Sequence, residues 1–282
     1  MSLRVVAQQG WLRSHRFWLA RRLVQLTVLG LFVLGPWGGV WILKGNLSGS
    51  ELLGTVPLTD PLLLVQSMAA GHWPAATALV GGGLVVGLYL LLGGRLFCSW
   101  VCPVNPLTDA AAWLRRRLGW RPAAHAGNAL RYAVLALVVA LPLATGVLVW
   151  ELLNPVSALL RGLLFGMGAS GLLVATVVAL DVAFDRLWCG RLCPLGSFYA
   201  LLGRWRWWRV EASGRARCDS CMDCYNVCPE PQVLKGPLHG EKRGIGPAVV
   251  AAECTTCLRC VEVCAEQVLT IATRPLAGSG RK

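Results

Sequence analysis

Apolar residues gather into four long runs, roughly 23–43, 75–94, 132–150 and 163–184, with shorter polar or basic segments between them. A helix needs ~20 predominantly apolar residues to cross the hydrocarbon core of a bilayer, so each run predicts a transmembrane helix. Pro36 and Pro142 fall inside two of the runs; membrane helices tolerate proline where neighbouring groups satisfy the freed carbonyl. A fifth apolar stretch, 61–70, is too short to span. Asp60 before Pro61 and Asn154 before Pro155 each set a capping side chain ahead of a proline at the first helical position, a helix-start signal. Residues 107–118 place Leu107, Ala111, Leu114 and Leu118 on one helical face, with Arg115, Arg116 and Arg117 beyond it. That pattern predicts a helix lying in the membrane surface, and the leucine, tryptophan and arginine mixture of 196–209 predicts another such segment.

The runs come in two pairs. RLFCSWVCP (95–103) aligns with RLWCGRLCP (186–194) at a constant offset of 91 residues, and each copy follows an even-numbered run. The expected fold is therefore an all-α polytopic membrane protein. Its four transmembrane helices form two parallel helix-pair repeats about an axis along the membrane normal. A C-terminal α+β two-cluster ferredoxin-like domain completes it. The expected organisation is a basic arm (1–22), a four-helix membrane domain (23–209), the ferredoxin-like domain (210–274) and a tail (275–282).

Composition supports a membrane class: 55% of the 282 residues are apolar, 15% are charged, and mean hydropathy is +0.56. A net charge of +13 invites a nucleic-acid reading, but 25 of the 27 lysines and arginines lie on one side of the runs. The positive-inside rule accounts for that asymmetry and puts both termini on the cytoplasmic side; no nucleic acid is expected. All 12 cysteines fall on the same side, where thiols stay reduced, so metal or redox chemistry is expected and disulfides are not. The basic arm, a full-length first run and the lack of a small-x-small site predict a retained anchor, not a cleaved signal.

The cysteine spacing carries the chemistry. Cys218, Cys221, Cys224 and Cys228 follow C-x2-C-x2-C-x3-C with Pro229 next, and Cys254, Cys257, Cys260 and Cys264 repeat it with Ala265 in the proline's place. In the two-cluster pattern the fourth cysteine of each run ligates the other cluster. The expected ligands of one [4Fe–4S] cluster are Cys218, Cys221, Cys224 and Cys264. Those of the second are Cys254, Cys257, Cys260 and Cys228. Zinc would want four ligands in separated pairs and does not explain two identical runs. The repeated Cys-x3-Cys-Pro motif adds Cys98, Cys102, Cys189 and Cys193. Four soft thiolates there would suit a third metal centre, an iron–sulfur cluster or copper(I), or a dithiol redox pair; the bland alternative is small cysteines packing at helix ends. Weaker candidates for a proton-accepting quinol site are Asp60, His72, Glu151 and Lys44 on the outer side and Asp181 and Asp185 on the inner.

Taken together, the stretches WLRSHRFWLARR (11–22), GPWGGVWIL (35–43), TVPLTDPLL (55–63), LFCSWVCPVNPLTD (96–109), WELLNPVS (150–157), WCGRLCPLG (188–196) and RCDSCMDCYNVCPEP (217–231) resemble the NapH-type membrane ferredoxins of periplasmic nitrate reductase systems over nearly the whole length. The resemblance implies a quinol dehydrogenase subunit that draws electrons from the quinone pool, with quinol as substrate. Its implied partners are a NapG-type periplasmic iron–sulfur subunit and the nitrate reductase electron-transfer chain. Two alternatives share the architecture: a methylamine-utilisation ferredoxin, and a polyferredoxin-type assembly factor that reduces copper at the Cys-x3-Cys-Pro pairs.

Overall fold

The computed structural model describes residues 5–7, 10–120, 127–184 and 186–273. The expected tail, 275–282, and Asp185 lie outside the described residues. The described residues form two compact units, each built from non-consecutive stretches: those within 1–22 with 89–100 and 199–273, and those within 23–88 with 101–198.

The second unit is mainly helical. Its helices include Pro61–Ala69, Asn105–Arg117, Asn128–Thr145, Pro155–Phe165 and Gly168–Ala183. Both expected helix starts are present: the Asp60 side chain accepts from the Leu62 amide, and that of Asn154 accepts from the Val156 amide. The first apolar run is placed differently from expectation. Helix Trp11–Gly38 takes in the basic residues from 13 to 22 and stops short of 43. It is the one helix among the described residues long and apolar enough to cross a membrane; Ala76–Leu92, Ala129–Thr145 and Gly168–Ala183 are apolar but shorter.

The unit also departs from all-α. Leu43–Gly45, Gly49–Leu52 and Val56–Thr59 form an antiparallel three-stranded sheet. Asn46 makes the first turn by accepting from the amides of Ser48 and Gly49. Leu53 and Gly54 make the second with φ of 54° and 67°, the two left-handed residues of a tight hairpin whose twist matches the strands.

In the first unit, strand Trp208–Glu211 pairs antiparallel with Thr270–Thr273, Trp208 opposite Thr273. Between them in sequence lie both long cysteine runs and the helices Asp223–Val227, Gln232–His239 and Arg259–Val263. Val210, Ala212, Leu234, Leu238, Val249, Val268 and Leu269 form the buried core beneath the runs. The end of helix Ala76–Leu92 joins this unit through a close backbone approach: a Cβ at Gly94 would overlap the Tyr199 carbonyl and the Gly203 amide nitrogen. Backbone cannot move aside as a side-chain tip can. Gly94→Ala should therefore cost at least the ~1–3 kcal/mol of ordinary overpacking, read as a lower thermal midpoint of the purified protein; an unchanged midpoint would show that the two segments separate freely.

The charge pattern has a second reading that topology counting misses. Arg21, Arg95, Arg115, Arg131 and Arg206 are all buried. Arg115, expected on the solvated flank of helix Asn105–Arg117, instead donates to the carbonyls of Asp181 and Phe184, each at 3.2 Å. It caps the C-terminus of helix Gly168–Ala183, where carbonyls lack partners and a cation is favoured. Leu114 and Leu118, expected on the apolar face of that helix, are exposed.

Candidate iron–sulfur site

The two long cysteine runs are offset by 36 residues at every cysteine, and their backbones repeat as well. Ser220 and Met222 in the first run, and Thr256 and Leu258 in the second, all have left-handed φ, between 50° and 63°. Such residues are uncommon away from glycine. Alternation of left- and right-handed residues turns successive amides toward a common centre and makes a concavity suited to an anion, as at many iron–sulfur sites. Each run then enters a five-residue helix, Asp223–Val227 or Arg259–Val263.

Cys218, Cys221 and Cys224 line one recess together with Cys264 from the other run; it measures about 390 Å³ counting its open mouth. Asp219, Ser220, Met222, Asp223, Tyr225, Leu238, His239, Val263, Val268 and Leu269 complete its wall, and the Val268 amide donates to Cys264 Sγ at 3.3 Å. Cys221 is exposed. Burial, with Cys264, Cys218 and Cys221 close by, pushes the Cys224 thiol up to about 11.

Cys228 lies with the second run. Burial pushes its thiol up, and the nearby Cys257 and Cys254 push the same way. Cys260 is raised well above the ordinary range, first by burial and then by Cys257, Cys228 and Cys254. Burial alone would raise Cys257 too, but Arg259 and Arg21 beside it, with the Arg259 amide and the Thr255 hydroxyl, hold it below the usual thiol range. The structure thus gathers the cysteines as three plus one, twice over.

These groups fit the cluster the spacing implies. Four thiols lining one recess match a cube whose corner irons each take one sulfur. Thiols that burial keeps protonated become thiolates once a metal binds them, since coordination deprotonates a thiol outright.

The Cys-x3-Cys-Pro repeats are also alike in structure. Phe97–Val101 and Trp188–Leu192 are both five-residue π-helical turns, again 91 residues apart. Such turns occur often at functional sites, and sequence periodicity does not signal them. Cys193 leaves its turn in extended conformation, as a residue before proline must.

The first turn belongs to the unit with the long runs. Ser99 Oγ donates to the Thr255 carbonyl at 2.8 Å, and Trp100 Nε1 to the Thr256 carbonyl at 3.2 Å. Arg95, one turn earlier, forms a buried ion pair with Glu230 at 2.9 Å and donates to the Glu253 carbonyl. The second turn is held within the other unit. Asp181 Oδ1 accepts from the Trp188 amide at 2.7 Å, Arg131 Nε donates to the Gly190 carbonyl at 3.0 Å, and Cys189 donates to Thr108 Oγ1. Burial raises the Cys189 thiol strongly, and Asp181, Cys102 and Cys193 add to it. Three of the four motif cysteines are therefore neighbours in one unit, while Cys98 belongs to the other.

Of the weaker candidates, Asp60 and Glu151 share a buried polar cluster. Ser48 Oγ donates to Glu151 Oε2 at 3.0 Å and lies 3.1 Å from Ser157 Oγ. Burial, opposed by the Leu62 amide and helped by Glu151, pushes the Asp60 carboxyl up to about 7. His72 and Lys44 are exposed.

A family model described as "4Fe-4S binding domain" matches residues 74–121 and 165–211, one Cys-x3-Cys-Pro repeat in each segment, and one described as "4Fe-4S dicluster domain" matches 217–268. The ferredoxin-type protein NapH of Escherichia coli K12 is 48% identical over 96% of this chain and 94% of its own. Its Haemophilus influenzae counterpart is 50% identical over 83% of this chain and 82% of its own. The methylamine utilization ferredoxin-type protein MauN of Methylorubrum extorquens is 44% identical over 83% and 82%. No solved structure matches the chain.

Proposed function

This chain belongs to the family of ferredoxin-type NapH proteins, and on that premise we propose that it is the membrane subunit of a quinol dehydrogenase serving a periplasmic nitrate reductase. At the coarser level it is an iron–sulfur electron-transfer protein, on both its relatives and its cluster-domain matches. Quinol gives up two electrons and two protons at the membrane domain, and the electrons go on to a NapG-type iron–sulfur partner on the periplasmic side. When bound, two [4Fe–4S] clusters supply one-electron carriers; Cys218, Cys221, Cys224 and Cys264 hold one, and Cys254, Cys257, Cys260 and Cys228 the other.

The observation that carries this reading is the docking of the Cys98 turn onto the second run through Ser99 and Trp100. It fixes a motif cysteine of the membrane part against the loop that bears Cys254 and Cys257. A third centre at Cys98, Cys102, Cys189 and Cys193 is part of the proposal, supported by the cluster-domain match that falls on both repeats.

We further infer four spans over 23–209, with both termini and all cysteines cytoplasmic. The short helices support this through their surfaces: Leu79, Val80, Leu84, Leu88 and Leu91 are exposed on one, and Leu130, Leu137 and Leu143 on another. Apolar surface of that extent suits lipid and not water.

The test is anaerobic. Oxidised protein in proteoliposomes, given a reduced menaquinone analogue, should bleach in the visible within the mixing time of turnover, and a quinone-site inhibitor should abolish the bleaching. Clusters that dithionite reduces and quinol does not would move quinol oxidation to another subunit and favour the copper-reducing reading.

A further inference from the structure

Arg206 sits in the core of the unit that carries both long cysteine runs, 1% exposed. It donates to the carbonyls of Ala251 at 3.1 Å and Cys254 at 3.4 Å, and to that of Val249. Among the described residues all of its hydrogen bonds go to backbone carbonyls. A guanidinium withdrawn from water without a carboxylate is costly, because carbonyl dipoles replace only part of its hydration. Such a cation persists where an anion lies close. Arg95, another buried arginine of this unit, is matched by Glu230; among the described residues Arg206 has no such carboxylate match.

What faces Arg206 is the Cys254 end of the second run. Arg21, 2% exposed on helix Trp11–Gly38, and Arg259 stand beside Cys257 in the same run. The carboxylates near this group among the described residues are Glu230, paired with Arg95, Glu262, which accepts from the Phe17 and Trp18 amides, and Glu253, next to Cys254 in the chain. Arg21, Arg95, Arg206 and Arg259 outnumber them. The first recess is different: Cys221 is exposed, and Asp219 and Asp223 flank it.

We propose that Arg206, assisted by Arg21 and Arg259, is the internal counter-cation of the cluster held by Cys228, Cys254, Cys257 and Cys260, and that it raises that cluster's reduction potential. The inference rests on the ligand assignment proposed above. Its physical basis is that reduction adds a negative charge to a thiolate-ligated cluster that is already anionic. In a buried site water cannot stabilise that charge, so burial alone would make the cluster hard to reduce. A fixed guanidinium bonded to the loop that bears the ligands is barely screened in such a buried site and offsets the burial. The arginines are positioning residues: they touch the loop and set the field at the cluster. They leave the exposed recess of Cys221 to solvent and its two aspartates.

The test is an EPR-monitored redox titration of the full-length protein in detergent, comparing the parent with Arg206→Gln, Arg206→Lys and Arg21→Gln. Arg206→Gln should shift one of the two cluster midpoints to more negative potential and leave the other unchanged. Arg21→Gln should shift the same midpoint in the same direction, and Arg206→Lys should stay near the parent. Loss of that one cluster from Arg206→Gln with its retention in Arg206→Lys also supports the proposal, since charge then decides whether the cluster is held. Midpoints that stay put in both glutamine variants, or two midpoints that move together, overturn it. So does loss of the cluster from both Arg206 variants with no shift in Arg21→Gln. A parent protein showing fewer than two [4Fe–4S] signals would refute the ligand assignment itself, and this inference with it; two signals indifferent to the arginines refute the inference alone.

Discussion

Cys264→Ala is expected to abolish the cluster associated with Cys218, Cys221 and Cys224, although Cys264 lies in the other run. The reason is spatial: Cys264 shares their recess, while Cys228 stands among Cys254, Cys257 and Cys260. Removing one of four thiolates exposes an iron corner to exchange and oxidation. Iron and acid-labile sulfide should fall by the content of one four-iron cluster, and the remaining EPR signal should match that left by Cys218→Ala. Cys228→Ala should leave the other signal. If Cys264→Ala and Cys254→Ala instead delete the same signal, each run holds its own cluster and the crossed assignment fails.

Arg95→Ala should produce the largest loss of stability among substitutions outside the cysteines. Arg95 and Glu230 are 3% and 4% exposed at their side chains and 2.9 Å apart. Glu230 Oε2 also accepts from Gln232, and Arg95 reaches the Glu253 carbonyl. The pair joins the segment before Cys98, the residue two after Cys228 and the residue before Cys254. Removing one member of a buried pair leaves an uncompensated charge and costs ~3–5 kcal/mol. Thermal bleaching of the clusters should begin at markedly lower temperature than in the parent. Arg95→Leu combined with Glu230→Leu should recover much of the loss, because burying no charge costs less than burying half a pair. A bleaching temperature unchanged in Arg95→Ala would mean that water reaches Glu230.

Much of the site was written in one dimension, and the residues show why. Cysteine spacing is a local property, so the two runs and the Cys-x3-Cys-Pro repeat could be read directly from the chain. The helix starts at Asp60 and Asn154 were equally local: a cap and a proline suffice. What stayed hidden depends on tertiary context. The left-handed Met222 and Leu258 carry no glycine signal, because their conformation is imposed by the loop each closes. The π-turns at Phe97–Val101 and Trp188–Leu192 differ from α-helix by one hydrogen-bond step that periodicity cannot resolve.

The sheet over 43–59 was missed because its strands are three or four residues long, too short for alternation to register. Its signal lay in the turns, Asn46 and Leu53-Gly54. The arginines have a second use that counting them for topology does not reveal. Counting them for topology treats each as a solvated charge, yet Arg95, Arg115, Arg131 and Arg206 are buried and bonded to carbonyls or a carboxylate. Nothing in a local window separates the two uses of the residue.

The central claim is that this chain carries electrons on two [4Fe–4S] clusters, and one measurement tests it most directly: Mössbauer spectroscopy of the ⁵⁷Fe-labelled protein, with EPR spin quantitation after full reduction. The account predicts cubane iron only, at two or more clusters per chain, with two of the reduced clusters magnetically coupled because their ligand sets interleave. A single cluster per chain, or isolated tetrahedral iron with zinc filling the rest, would contradict it.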